Sequence, residues 1–303
     1  MKIAIASSSL LAVPTIKAVQ ESAHSIVGLI TNPDKASGRG QSLSPNELAA
    51  YFLNQQFPIL KPSSHEELRE TVKELAPDIA ITIAYGRIIR QETLDIPKFG
   101  WLNLHFSLLP AYRGAAPVQR AILDGLQETG LSVFRLDAGM DTGDVYINKL
   151  VEIGLHENSG ELLSRLATQG AAAIIETLSL VQNGVAPKAQ SGSGLSLAPK
   201  ITVDEARIDW SSGQTRVDRL VRAMTPRPGA WTTLNGVRYI ISKCSISEAK
   251  LSPGSVSKNG DRLLVGTGDG SIEVFSLQPS GKRMMTAAEW LRGARLDSET
   301  RFE

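Results

Sequence analysis

The chain has 303 residues, 42% of them hydrophobic, and a formal net charge of +1. At roughly 100–200 residues per domain this length implies two domains, and no apolar run approaches the roughly 20 residues of a membrane span. The single cysteine, Cys244, excludes an internal disulfide and a cysteine-based metal cluster, and it fits a reducing cytoplasm. The charge is unevenly spread: residues 1–190 carry 16 basic and 19 acidic side chains, residues 191–303 carry 16 and 12. A basic excess attracts polyanions such as nucleic acid. Ordinary surface imbalance explains it equally well, and on charge alone is the better account.

In chain order, Lys2–Ala6 is apolar and turns polar at Ser7-Ser8-Ser9. That predicts a first strand, since a signal peptide needs a longer apolar region and a cleavage site. A helix-compatible segment follows, with Pro14 near its first turn, and then a second strand at 26–31. The charged stretch His65–Leu75 suits a helix, and the run 78–84 a strand. Trp101–His105 and 131–136 predict further strands. Apolar strands separated by helices indicate an open, mostly parallel α/β sheet with helices on both faces, whose ligands sit beyond the strand carboxyl ends. The Ser/Gly-rich stretch around Gln190 reads as a linker. Beyond it lie a short helix at 216–224 and brief strands at 230–234, 237–242, 262–266 and 271–277, the pattern of a small β-barrel or sandwich.

The chemistry-bearing residues follow the strands. Asn103 and His105 are two apart on a strand and so face one side. An amide N–H stabilises a developing oxyanion, and an imidazole moves a proton or donates a hydrogen bond near neutral pH. Asp141, between Gly139 and Gly143, is placed to orient His105. Such a set suits acyl transfer to a nucleophile that the substrate already carries. Each residue also has a plainer reading: a hydrogen-bonded structural histidine, a chance Asn-x-His match, and an aspartate holding its own turn. The polar loop 32–41 offers Arg39 as a phosphate anchor, or is a solvated loop. The Ser7–Ser9 turn lacks the Gly-x-Gly-x-x-Gly fingerprint, which counts against a nicotinamide enzyme.

Asn103-Leu-His105, Ser107-Leu-Leu-Pro110, Tyr112-Arg-Gly-Ala-Ala-Pro117 and Met140-Asp-Thr-Gly-Asp144 together resemble the signatures of the folate-dependent formyltransferases. Gly38-Arg-Gly40, Ala206-Arg-Ile-Asp-Trp210 and 276–282 resemble the members of that family that act on tRNA, so the resemblance spans nearly the whole chain. The Ser7–Ser9 turn departs from the Gly-Thr-Pro-like sequence more usual there. The resemblance implies a Rossmann-like catalytic domain at 1–189, a linker at 190–208 and an OB-fold-like tRNA-binding domain at 209–303. It implies 10-formyltetrahydrofolate as donor, the α-amine of initiator methionyl-tRNA as acceptor, and no metal. Asn103 and His105 would then stabilise the oxyanion, with Asp141 paired to His105. Ser107, Leu108, Leu109 and Pro110 would line the folate site, with Ala84, Tyr85 and Gly86 contributing backbone. Arg39, Lys200, Arg207 and Lys282 would contact tRNA, and Arg219, Arg222, Lys243 and Arg283 are further candidates. A cytoplasmic monomer without membrane contact is expected. A relative acting on an amino sugar nucleotide would share the catalytic motifs; the Arg39 loop favours tRNA.

Overall fold

Ile3-Ala4-Ile5-Ala6 shows no polar alternation, as a strand covered on both faces requires, and all four side chains are fully buried. They belong to β1 (Lys2–Ala6). The computed structural model describes residues 1–37, 42–54 and 57–303. The chain divides into two compact units. One is Met1–Pro117 with Glu128–Glu152 and Leu163–Pro199; the other is Val118–Gln127 with Ile153–Leu162 and Lys200–Glu303.

After β1 come α1 (Val13–Gln20), β2 (Ser25–Ile30), the paired short strands β3 (Lys35–Ser37) and β4 (Ser42–Ser44), α2 (Glu47–Tyr51), β5 (Ile59–Leu60) and α3 (His65–Leu75). Next are β6 (Ile79–Thr82), α4 (Gln91–Leu94), β7 (Trp101–His105), α5 (Pro117–Asp124), β8 (Glu128–Arg135), β9 (Val145–Glu152) and α6 (Ser159–Gln182). The sheet order is β5-β2-β1-β6-β7-β8-β9. The first five strands are parallel. β8 pairs antiparallel with β7 and with β9; the loop 136–144 folds β9 back onto β8 as a hairpin instead of a crossover. The chain proceeds outward from β1 through β2 to β5, then resumes beside β1 at β6. That reversal opens a crevice at the carboxyl ends of β1 and β6, the usual ligand position in such sheets.

Local chemistry supports these elements. The Ser64 hydroxyl accepts the Glu67 N–H at 3.1 Å and caps α3. Leu68 and Val72 bury its inner face, while Ala76 ends it at a φ of 42°. Trp101, 1% exposed, anchors the edge of the core and donates its indole N–H to the Thr93 carbonyl at 3.1 Å.

The second unit holds α7 (Gln214–Met224), β10 (Ala230–Leu234), β11 (Val237–Ser247), β12 (Val256–Asn259), β13 (Arg262–Gly266), β14 (Ser271–Pro279), β15 (Met285–Thr286) and α8 (Ala287–Gly293). Its strands pair antiparallel in the order β10-β11-β14-β13-β12, with β15 against β14. The tail 300–303 binds both outer edges. Glu303 N–H donates to the Thr233 carbonyl at 2.9 Å, Phe302 N–H to Gly254 at 2.9 Å, and Val256 N–H to Thr300 at 3.1 Å. These bonds close the sheet and remove its free edges. Phe302, 1% exposed, stacks on Trp210 and Trp290 at centroid distances of 5.9 and 6.3 Å, in a core that includes Ile241, Val265 and Val274.

Candidate active site

Asn103 and His105 stand at the carboxyl end of β7, the position the sheet reserves for ligands. Asn103 lies beside Thr82 of the parallel neighbour β6. The Thr82 hydroxyl donates to Asn103 Oδ1 at 2.8 Å. This commits the amide oxygen and leaves the NH2 group as the end free to donate outward.

His105 is 6% exposed. Its Nε2 lies 3.0 Å from the Tyr112 carbonyl oxygen. A carbonyl only accepts, so Nε2 carries the ring proton. Nδ1 faces Asp141 Oδ2 at 3.8 Å, beyond hydrogen-bond length. The expected pairing of His105 with Asp141 is thus an ion-pair contact and not a hydrogen bond: the Tyr112 carbonyl holds the other side of the imidazole, and the Asp141 carboxylate accepts the Gly114 N–H at 2.8 Å. The reason is local. Tyr112 takes a φ of 57° and Gly114 a φ of 126°, so the tripeptide 112–114 offers a carbonyl to one residue and an N–H to the other. Gly114 has no substitute here, since a Cβ would lie 2.6 Å from the Ala198 carbonyl oxygen.

Burial pushes the His105 imidazole below its ordinary value, against the upward pull of Asp141 and the Tyr112 carbonyl. The ring is thus neutral near pH 7, with Nδ1 a bare acceptor. A neutral ring so oriented has no N–H left for an oxyanion. Such a ring can take a proton at Nδ1, where the Asp141 carboxylate 3.8 Å away favours the charged form.

The loop carrying Asp141 is held from within and without. Asp137 Oδ1 accepts the Gly139 N–H at 3.0 Å and the Thr142 hydroxyl at 2.6 Å. The Gln190 amide donates to the carbonyls of Asp141 and Gly143 at 2.9 and 2.8 Å. Gly143 leaves no room for a side chain, as a Cβ would meet the Arg135 carbonyl oxygen.

Residues 107–110, expected to line the folate site, show little open side-chain surface. The Ser107 hydroxyl donates to the Ala111 carbonyl at 2.6 Å and the residue is 1% exposed. Leu109 and Pro110 are buried, and only Leu108 keeps a partly exposed side chain. This turn is instead tied down from behind. Leu109 N–H donates to the Ser132 hydroxyl at 3.0 Å, and Asn148 Nδ2 donates to the Leu109 carbonyl at 3.2 Å. Ala84 and Gly86 are exposed just past β6 with φ values of 47° and 73°, flanking buried Tyr85. Their backbone is free to meet a planar ligand, and nothing lies within 4 Å of where a Gly86 Cβ would be.

Of the basic residues, Arg39 lies outside the described residues. Lys200 and Lys282 are exposed. Arg207 lies over the Trp231 ring at 5.6 Å, and Arg238, which the sequence reading passed over, at 4.2 Å. Arg222 is spent on a 2.8 Å ion pair with Asp218, which counts against it as a tRNA contact. Tyr112 and Gly114 stand in the Tyr112–Pro117 motif with no role assigned to them, and Gln190, Thr82, Ser132 and Asn148 carry no assignment either. Their roles rest on backbone groups or long-range pairings that leave no local pattern.

Residues 1–178 match the family described as formyl transferase, and residues 200–295 its C-terminal domain. Over its full length the chain is 42% identical to the methionyl-tRNA formyltransferase of Thermobifida fusca, covering 99% of that protein. It is 42% identical to that of Rhodococcus erythropolis, with both chains fully covered. Among solved structures, HypX from Aquifex aeolicus superposes with a TM-score of 0.73 at 20% identity; 98% of this chain matches about half (49%) of that one. The methionyl-tRNA formyltransferase from Clostridium thermocellum superposes with a TM-score of 0.58 at 20% identity, over 82% of this chain and 95% of that one. These two structures show the shared fold. The sequence matches over the whole length show the kinship: the chain belongs to the formyl transferase family, among the methionyl-tRNA formyltransferases.

Proposed function

We propose that this chain transfers the formyl group of 10-formyltetrahydrofolate to the α-amino group of initiator methionyl-tRNA, supplying the formylated initiator of translation. One observation carries the chemistry. Asn103 presents an amide N–H beside a buried neutral His105, whose bare Nδ1 faces Asp141 at 3.8 Å.

The amine of the aminoacyl ester attacks the formyl carbon, forming the new C–N bond as the carbonyl π pair moves to oxygen. Asn103 Nδ2–H donates to that oxyanion. The amine proton passes to His105 Nδ1, and Asp141 stabilises the imidazolium. Collapse of the tetrahedral species breaks the bond to folate N10, which takes up a proton from His105, directly or through water. The nucleophile belongs to the substrate, so no covalent enzyme intermediate is required. Leu108 and the backbone of Ala84, Tyr85 and Gly86 are the proposed folate contacts. Ser107, Leu109 and Pro110 shape the turn that presents Leu108.

Residues 1–189 act as the folate-binding catalytic part, 190–208 as a connector, and 209–303 as the OB-like tRNA-holding part, with Lys200, Arg207 and Lys282 contacting phosphates together with Arg39. No helix among the described residues is long and apolar enough to cross a membrane. We place the enzyme in the cytoplasm as a monomer. The test is an acceptor panel with 10-formyltetrahydrofolate: charged initiator methionyl-tRNA, uncharged tRNA and an amino sugar nucleotide. Product on methionyl-tRNA alone, falling steeply with salt as phosphate contacts require, supports the reading. Product on the sugar alone reassigns the acceptor.

A further inference from the structure

We propose that Gln190 and Ser196, in the stretch whose composition reads as a linker, are positioning residues that set the spacing between His105 and Asp141. The inference rests on the reading of those two residues as the catalytic pair.

Both members of that pair hang on the tripeptide 112–114: His105 through the Tyr112 carbonyl, Asp141 through the Gly114 N–H. The tripeptide is in turn fixed by the segment 196–198. Tyr112 N–H donates to the Ser196 hydroxyl at 2.9 Å and Arg113 N–H to the Ser196 carbonyl at 2.9 Å. Ala198 N–H donates to the Arg113 carbonyl at 2.7 Å, and Ala116 N–H to the Ala198 carbonyl at 3.1 Å.

Gln190 closes the circuit from the other side. Its two amide protons go to the carbonyls of Asp141 and Gly143. Its Oε1 accepts Arg113 Nε and Nη2 at 3.1 and 2.6 Å. One side chain thus joins the Asp141 loop to the residue between Tyr112 and Gly114. The position calls for two donors and one acceptor on a planar end. Glutamate lacks the donors, and lysine or arginine lacks the acceptor. Around His105, Asp141 is the charged group that acts on the ring, while the Arg113 guanidinium is held by Gln190. A shift of residues 190–198 therefore changes the Nδ1-to-carboxylate distance through the backbone, since Gln190 meets Asp141 at its main-chain carbonyl and not at its carboxylate.

The deciding variant is Gln190→Leu, which removes these hydrogen bonds without adding a charge near His105. Two readouts are taken: the His105 imidazole titration by NMR of histidine-labelled free enzyme, which has only four histidines, and the pH profile of kcat. The expected result is a His105 titration moved to lower pH, because the imidazolium loses its carboxylate, together with an acid limb of kcat moved the same way. The kcat plateau falls on the order of 10²-fold, as a displacement near 1 Å does, with the folate KM unchanged. Ser196→Ala, which removes one hydroxyl, gives a smaller shift in the same direction and serves if the leucine variant fails to fold. A wild-type His105 titration in both variants overturns the proposal, whatever kcat does. A moved titration with unchanged kcat keeps the positioning role and instead removes His105 from the chemistry.

Discussion

Replacing Asn103 by aspartate tests the oxyanion assignment. The Thr82 hydroxyl donates to Asn103 Oδ1 at 2.8 Å, so the amide is held with its NH2 outward. Asn103→Asp keeps the shape and the acceptor for Thr82, but it replaces the outward donor with a carboxylate oxygen. Loss of one oxyanion donor costs about 10²–10³ in turnover, roughly 2.7–4 kcal/mol, and the added charge can only increase that. Thr82→Val removes that anchor, together with the hydroxyl's longer contact to the Leu102 carbonyl at 3.2 Å. A neutral hydrogen bond is worth about 0.5–1.5 kcal/mol, so kcat should fall about 2- to 10-fold with the folate KM unmoved. Because Thr82 acts through Asn103, the double variant should be no slower than Asn103→Asp alone. The assay is single-turnover formyl transfer at saturating folate. An Asn103→Asp enzyme within tenfold of wild type refutes the reasoning, and so does a double variant whose losses simply add.

Three further outcomes follow from the same structure. His105 has a folded-state pKa below its ordinary value of about 6.5, so the unfolded chain binds more protons; its contribution to stability is full above that value and is lost as pH falls through the folded pKa. Denaturant melts from pH 7.5 to 5 should show stability dropping with acid, less steeply in His105→Gln, with His24, also held low by burial, contributing in the same direction. Phe302→Ala removes the ring stacked between Trp210 and Trp290 and should destabilise the second unit by about 3–5 kcal/mol, read as an early transition in tryptophan fluorescence; a melt unchanged from wild type would contradict the closure by the tail. Cys244 is buried and its thiol is pushed up by burial and by the Asp218 carboxylate, so iodoacetamide should label it only after unfolding; rapid labelling of the native enzyme would contradict this environment.

The strands β1, β7, β10 and β13 and the helix α3 were legible to the residue, because unbroken apolar runs and a capped charged segment have one stable reading. The antiparallel turn of β8 and β9 was not, since strand direction depends on the connection and not on composition. The 24-residue helix α6 was passed over. Its buried Leu162, Leu166, Ala173 and Thr177 do fall near one face, but glycine and small residues interrupt the pattern. At the site, type and spacing nominate Asn103, His105 and Asp141 beside plainer structural readings, and the resemblance favours the catalytic one. The partner that orients His105 is a main-chain carbonyl, and a carbonyl has no signature in a sequence. Gln190 sits in a stretch of Ser and Gly that composition assigns to a linker, yet its hydrogen bonds belong to the active-site loop. Arg222 shows the converse: a basic residue eligible for tRNA by charge, spent on Asp218 four residues earlier.

The most direct test of the central claim is a single-turnover comparison of wild type and His105→Ala, transferring formyl from 10-formyltetrahydrofolate to charged initiator methionyl-tRNA, with folding checked by circular dichroism. The account predicts N-formylmethionyl-tRNA from the wild type and almost none from an equally folded variant. Near-normal transfer by His105→Ala would contradict it.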